Sequence, residues 1–135
     1  MKAVLSCFLL LSICTINTKA YAMTPEEIVQ QNLDFYNQRD IDGFMSLLSP
    51  DIAIFNLGES TPSVAGFDNV KAFYKSMFAD SPDLHSTILK RIVIGNNVID
   101  HESIVGRLGS NEVVELVLIY TVEANKIVAI RVIRE

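Results

Sequence analysis

Two polar residues interrupt apolar segments of this chain at positions where chemistry could occur. Asn32 lies within the apolar face of the first predicted helix, and His101 lies within a long apolar strand. A buried amide or imidazole must find a hydrogen-bond partner or line a cavity, because burial without a partner is costly. An imidazole can also exchange protons near neutral pH. These two positions therefore indicate a polar-lined pocket inside a small domain.

The candidate pocket residues are the polar, aromatic and apolar side chains that helical or strand periodicity places on one inner surface. They are Asn32, Tyr36, Asn56, Phe73, Tyr74, His101, Leu116, Leu118, Tyr120 and Arg134. His101 is the candidate catalytic residue, as a general acid or base. An ionisable group in an otherwise apolar pocket is a common feature of functional sites.

The inward orientation of His101 depends on the register of two neighbouring strands. If Gly109-Ser110 forms a two-residue turn, His101 pairs with Leu118 and faces the same side of the sheet. A one-residue shift would turn His101 outward and bring Asp100 and Glu102 inward. The pocket would then contain paired carboxylates instead of an imidazole.

Each candidate also has a purely structural interpretation. Asn32 and Asn56 can be satisfied by hydrogen bonds within a helix pair or a local turn. His101 can be a structural histidine, and Phe73 and Tyr74 can belong to the core. The arginine near the C-terminus can be a solvated charge.

The N-terminal segment has the pattern of a secretory signal. Residues 1–22 contain Lys2, an apolar run over residues 3–16 and a small-x-small end at Ala22. We expect cleavage after Ala22 and export of a single domain, residues 23–135, to the periplasm or the medium with no membrane anchor. Both cysteines lie in the segment removed, so the mature chain would have neither disulfide nor thiolate. The alternative is an uncleaved anchor helix.

Composition and motifs exclude several classes of function. The chain has 135 residues and a net charge of −5, and removal of the leader makes it more acidic, which disfavours nucleic acid as a partner. The two histidines, His85 and His101, have no second ligand at a recognised spacing, so no metal site is expected. Gly106-Arg107-Leu108-Gly109 is interpreted as the segment that leads into a β-hairpin turn rather than as a phosphate-binding loop. Function without a cofactor is the default expectation.

Three helices are predicted ahead of most of the sheet. The first begins at a capping box formed by Thr24 and Glu27 and runs to about Gln38. The second covers residues 41–48, and the third has apolar side chains at helical spacing over residues 70–78. The predicted strands cover residues 52–57, 86–94, 98–107, 113–122 and 127–133. Their short connections predict an antiparallel meander, and helices followed by strands predict an α+β domain.

Several short segments carry a resemblance to a known family. They are Asn37-Gln38-Arg39-Asp40-Ile41-Asp42-Gly43, Pro50-Asp51-Ile52, Gly66 with Phe73-Tyr74, and Asn125-Lys126-Ile127-Val128. In this order the chain resembles the nuclear-transport-factor-2-like superfamily, especially its SnoaL-like and steroid Δ-isomerase-like branch. The resemblance implies a cone-shaped, curved antiparallel sheet packed against three N-terminal helices, as in a cystatin-like α+β roll. It also implies an interior ligand cavity and frequent dimerisation through the outer sheet face.

The resemblance also allows the catalytic positions of two branches to be compared with this chain. Alignment with ketosteroid isomerases places Asn32 at the oxyanion-binding tyrosine, Asn56 at the proton-moving aspartate and Leu118 at the acid donor. An amide cannot act as a general base and leucine cannot donate a hydrogen bond. Alignment with limonene-epoxide hydrolases retains Asn56 but places Ile99 at the arginine and His101 at an aspartate. Neither mechanism is expected.

Two functional hypotheses remain. The first is an exported SnoaL-like pocket protein that binds a small apolar molecule with a polar handle and lacks the usual isomerase catalytic residues. The second is a cofactor-independent isomerase, hydrolase or lyase that uses His101 as general acid or base. A homodimer is expected in either case, because Val113, Val117 and Ile119 would leave an apolar outer sheet face exposed in a monomer.

Overall fold

The computed structural model describes residues 22–134. The elements in chain order are α1 (Pro25–Gln38), α2 (Ile41–Ser46), β1 (Leu48–Asn56), β2 (Val64–Ala65), α3 (Phe67–Ala79), β3 (His85–Ile94), β4 (Asn97–Val105), a 3₁₀ turn (Arg107–Gly109), β5 (Val114–Glu123) and β6 (Lys126–Ile133). The predicted leader lies outside the described residues except for Ala22. No helix within this part of the chain has the length and apolar character needed to span a membrane.

The strands form one mixed sheet with the order β2-β1-β6-β5-β4-β3. Strands β3 to β6 make the predicted antiparallel meander. The expectation of an entirely antiparallel sheet was wrong, because β1 pairs parallel to β6. The intervening helix and meander supply the long connection that a parallel pair requires. The predicted α+β class and the packing of three helices against a curved sheet are confirmed.

A local sequence signal explains where α1 begins, whereas pairing with a distant strand limits the length of α2. Glu27 N–H donates to Thr24 Oγ1 at 3.2 Å and Thr24 N–H donates to Glu27 Oε2 at 2.8 Å, so the predicted capping box is present. The second helix ends at Ser46 rather than at residue 48. Leu48 already belongs to β1, where it pairs with Ile127. The apolar side chain of Leu48 fits the helical spacing that predicts a longer α2, but the Leu48 backbone pairs with β6.

The core lies between the helices and the inner face of the sheet. Its buried members include Ile28, Val29, Met45, Ile52, Val70, Leu84, Val98, Ile127 and Ile130. An aromatic cluster continues this core from α1 across α2 to α3. The ring centroids of Phe44 and Tyr74 are 4.4 Å apart, and those of Tyr36 and Phe78 are 5.5 Å apart. These rings form the transition from a packed core to an open cavity.

Candidate functional site

A cavity of about 760 Å³ lies between the helices and the inner sheet face. Its lining contains every candidate pocket residue except His101: Asn32, Tyr36, Asn56, Phe73, Tyr74, Leu116, Leu118, Tyr120 and Arg134. Glu102 and Arg107 also line it. Glu102 was expected there only in the alternative strand register, and Arg107 was not among the candidates. This volume is within the ordinary range for a small-molecule site.

The structure places His101 on the opposite face of the sheet. It pairs with Val117 and not with the predicted Leu118. Its side chain is 42% exposed, and its Nε2 lies 3.1 Å from Glu115 Oε2. His101 therefore cannot reach a molecule in the cavity, and its predicted role as the acid or base of this site has no geometric basis.

The β4–β5 connection explains the change of register. Strand β4 ends at Val105 and β5 begins at Val114, with the 3₁₀ turn between them. The predicted two-residue turn is thus replaced by a longer loop. Because side chains alternate between faces, a shift of one residue brings Asp100 and Glu102 to the inner face. These two carboxylates occupy different surroundings.

Glu102 is the acidic group of the cavity. Its side chain is buried, and it accepts hydrogen bonds from Ser86 Oγ at 2.6 Å and from the Tyr120 hydroxyl at 3.3 Å. Burial raises the pKa of Glu102 above its usual value, and the hydrogen bond from Ser86 opposes that effect. Glu102 is therefore a carboxyl group that retains its proton to a higher pH than an exposed glutamate.

The charge of Asp100 is balanced by an ion pair with Arg91, and Asp100 does not line the cavity. Arg91 donates from Nε and Nη2 to the two carboxylate oxygens, each at 2.7 Å. A third donor nitrogen, Nη1, bonds to Gln30 of α1 at 2.9 Å. The bidentate pair joins β3 to β4, and the bond to Gln30 ties α1 to the inner face of the sheet. Its role in the site is to support the strand that carries Glu102.

Three tyrosine rings surround the polar part of the cavity. Burial raises the pKa of all three hydroxyls, and the pKa of Tyr74 rises to about 12. Tyr120 donates to Glu102 as described above. Among residues 22–134 no hydrogen-bond partner is found for the hydroxyls of Tyr36 and Tyr74. They remain protonated donors at neutral pH and are free to bind a ligand.

The two asparagines of the predicted pocket lie at different depths. Asn32 is buried, and its Nδ2 donates to the backbone oxygen of Phe44 at 3.1 Å, so it both bridges two helices and lines the cavity. Asn56 lies half-buried at the end of β1 and bonds to Glu59. Its Oδ1 accepts from Arg134 at 3.2 Å. Asn56 and the exposed Arg134 thus form part of the rim.

The segment after α1 positions the groups around Glu102. The Asn37 side chain donates to the Ser86 oxygen at 2.9 Å and accepts from the Ser86 N–H at 2.7 Å. Arg39 donates to the Leu84 oxygen at 3.1 Å. These contacts bind the end of α1 to the start of β3. The hydroxyl of Ser86 is thereby held where it can reach the carboxyl group.

The donor set gives no indication of a metal centre. Within residues 22–134 no three histidine, cysteine, aspartate or glutamate side chains are grouped as metal ligands. The cavity instead combines an apolar lining with one carboxyl group, three phenols, amides and two guanidinium groups. Such a set can bind a mostly apolar molecule through a few directed hydrogen bonds.

These features define a class of protein, the small α+β roll with a ligand-sized cavity between its helices and a curved sheet. The sequence matches the SnoaL-like domain family over residues 29–130, and the chain belongs to that family. The predicted resemblance is therefore confirmed. No curated protein matches the sequence.

Solved structures agree with this fold. A cystatin-fold protein from Novosphingobium aromaticivorans is 23% identical, with a TM-score of 0.76 over 83% of this chain and 99% of the other. A protein designated a SnoaL-like polyketide cyclase from Jannaschia sp. is 20% identical, with a TM-score of 0.68 over 82% and 85%. A computationally designed 17-OHP binder is 20% identical, with a TM-score of 0.73 over 84% and 92%. At these identities the likeness concerns the fold alone.

Proposed function

We propose that this protein binds a small, mostly apolar molecule whose polar group contacts Glu102 and the neighbouring phenols. The observation that carries the proposal is a buried carboxyl group at an apolar cavity of about 760 Å³. The surrounding aliphatic and aromatic side chains supply most of the binding energy through burial of apolar surface. The few polar groups orient the ligand.

Binding can be tested without knowledge of the natural ligand. Phenylnaphthylamine is a neutral dye whose fluorescence rises in apolar surroundings, and the protein should bind it with one site per chain. Leu118→Arg places a charge in the lining and should abolish the signal, whereas Ser103→Arg on the outer sheet face should not. Equal fluorescence in both variants would contradict binding in the cavity. Mass spectrometry of small molecules released from the purified protein would then identify the occupant.

A second candidate function is catalysis, with Glu102 in place of His101 as general acid or base. It is favoured by the burial of Glu102 at the cavity, which raises the pKa of its carboxyl group above the usual value and so strengthens its ability to accept a proton from a substrate and return it. The class of reaction would be an isomerisation, hydrolysis or elimination without a cofactor. Turnover of a bound compound that is lost in Glu102→Gln, with binding retained, would establish this function.

The raised pKa of Glu102 also predicts how stability depends on pH. Between its usual value, about 4.3, and the higher value in the folded state, the unfolded chain binds fewer protons than the folded one. The free energy of unfolding should therefore fall as pH rises through this window, and the loss should persist above it. Glu102→Gln should remove the part of this fall in the free energy of unfolding that comes from ionisation of Glu102. Urea denaturation at a series of pH values from 4 to 8, measured on both proteins, provides the comparison.

Glu115→Gln is the matched control for this experiment. Glu115 lies on the outer face beside His101, and its side chain is 60% exposed. Glu115→Gln should leave the pH-dependent fall in the free energy of unfolding unchanged. If Glu102→Gln and the wild type keep parallel pH profiles, the carboxyl group ionises as an ordinary glutamate and the argument from its burial is wrong.

We further propose that the protein is exported after cleavage at Ala22 and forms a homodimer. The outer sheet face supports the homodimer, since Ile92, Ile99 and Ile119 lie side by side across three strands and form an apolar row there. Native mass spectrometry of protein recovered from outside the cytoplasm should give twice the mass of residues 23–135. A chain that retains the leader would contradict export, and a single-chain mass at micromolar concentration would contradict the dimer.

A further inference from the structure

Arg107 contributes a positive charge to the cavity, and no carboxylate among residues 22–134 forms an ion pair with it. Its Nε is buried without a hydrogen-bond partner. The side chain takes part in none of the hydrogen bonds or ion pairs found among residues 22–134. A buried guanidinium nitrogen without a partner is costly. Arg107 lines the same cavity as Tyr36 and Tyr74, and its charge lowers the pKa of both hydroxyls against the larger, opposite effect of burial.

The turn that carries Arg107 is held in place on both sides of that residue. The Leu108 N–H donates to the buried Ser81 Oγ at 2.8 Å. On the other side, Gly106 lies so close to the Asp83 backbone that a Cβ atom there would approach the Asp83 oxygen to 2.2 Å. Arg107 therefore projects from a fixed support.

The backbone of this turn is also strained. Leu108 has a φ of 52°, in the left-handed region, although the residue is 61% exposed and gains little from packing. Strain of this kind persists only where surrounding contacts impose it, and it is concentrated at functional sites. In this turn the contacts impose a conformation that presents Arg107 at the cavity.

We propose that Arg107 recognises the ligand through a carboxylate, so that the ligand class is a small, mostly apolar monocarboxylic acid. This inference rests on the proposed function and names the polar group that the cavity accepts. A guanidinium group can donate two parallel hydrogen bonds to a carboxylate. The free hydroxyls of Tyr36 and Tyr74 supply further donors in the same cavity lining.

The charge balance favours a monoanion over a dianion such as a phosphate ester. The protein carries a net charge of −5, which repels anions at long range. Arg134, the other cation of the lining, is exposed and already bonds to Asn56. The single charge of the Arg107 guanidinium matches one carboxylate, and a second negative charge would remain unpaired in a lining that already contains the Glu102 carboxyl group.

Binding of naphthylacetate and naphthylacetamide tests this inference, because the two molecules share one apolar body and differ in charge. The wild type should bind the acid at least about tenfold more tightly than the amide, the ratio expected for charge-assisted hydrogen bonds. Arg107→Gln should abolish the preference, and Arg107→Lys should retain part of it. Lys75→Gln removes an exposed cation outside the cavity and should keep the full preference. Isothermal titration gives the affinities.

Phenylnaphthylamine separates failure of this inference from failure of the proposed function. If the wild type binds the neutral dye but shows no preference for the acid, or does not bind the acid, the role of Arg107 is overturned and cavity binding still holds. If the wild type binds neither the dye nor the naphthyl compounds, the proposed function fails and this inference fails with it. Circular dichroism on Arg107→Gln must show a folded domain, and loss of preference in a folded variant supports the assignment.

Discussion

Asp100→Ala should lower the free energy of unfolding by about 3–5 kcal/mol, the range found when one partner of a buried ion pair is removed. Asp100 is fully buried, and the Arg91 side chain is only 12% exposed. Without the carboxylate, the guanidinium would retain Gln30 as its side-chain partner. A domain of this size is stable by about 5–15 kcal/mol, so the variant should approach the limit of folding. Urea denaturation measures the difference.

The pair between Asp42 and Lys71 provides a matched control for Asp100. Its nitrogen and oxygen atoms lie 2.8 Å apart, but the side chains are 82% and 40% exposed. Solvent screens such a pair, and Asp42→Ala should not change the unfolding midpoint measurably. Similar losses in Asp100→Ala and Asp42→Ala would contradict the view that burial gives the first pair its importance.

Gly106→Ala should destabilise the protein and weaken recognition by Arg107. Gly106 has a φ of +71°, which costs an L-residue about 1–2 kcal/mol. The new Cβ would also overlap the Asp83 backbone, and relieving that overlap should cost about 1–3 kcal/mol more. Because Arg107 follows directly, the displaced backbone should also reduce the preference for naphthylacetate. Denaturation and titration are both performed on this variant.

Gly109→Ala isolates the backbone part of this effect, so the difference between the two variants gives the steric part. Gly109 lies in the same turn with a φ of +69°, but the nearest atom to an added Cβ is the Asp80 oxygen at 4.0 Å. The variant should therefore lose only the cost of the left-handed backbone and keep its preference for the acid. Equal destabilisation by Gly106→Ala and Gly109→Ala would show that contact with Asp83 does not hold the turn.

Most of the fold could be predicted because its signals act over short distances. The capping box of Thr24 and Glu27, the helical spacing over residues 70–78 and the Val- and Ile-rich strands each concern a few neighbouring residues. The bounds of α2 and the parallel pairing of β1 with β6 could not be predicted in this way. Both depend on Leu48 and its neighbours meeting β6, which is far away in the chain.

The candidate site was predicted in outline, including Arg134, but the choice of Glu102 over His101 was left open and Arg107 was not predicted. Periodicity indicated the aromatic and amide lining, since Asn32, Tyr36 and Tyr74 belong to regular helices. The register of β4 and β5 depends on a loop whose conformation is set by Ser81 and Asp83, residues with no local relation to it. A shift of one residue in the strand register turns His101 away from the cavity and Glu102 toward it.

The types and order of the elements and an inward-facing polar position on α1 follow from the amino-acid sequence, because propensity, capping and periodicity operate within one or two turns of chain. The chemical character of the cavity follows from long-range packing. Strand pairing decides which of Glu102 and His101 points inward, and contacts from the end of α3 decide where Arg107 lies. No local pattern contains that information, since both the contacts of the β4–β5 loop and the burial of a whole sheet face join residues that are far apart in the chain.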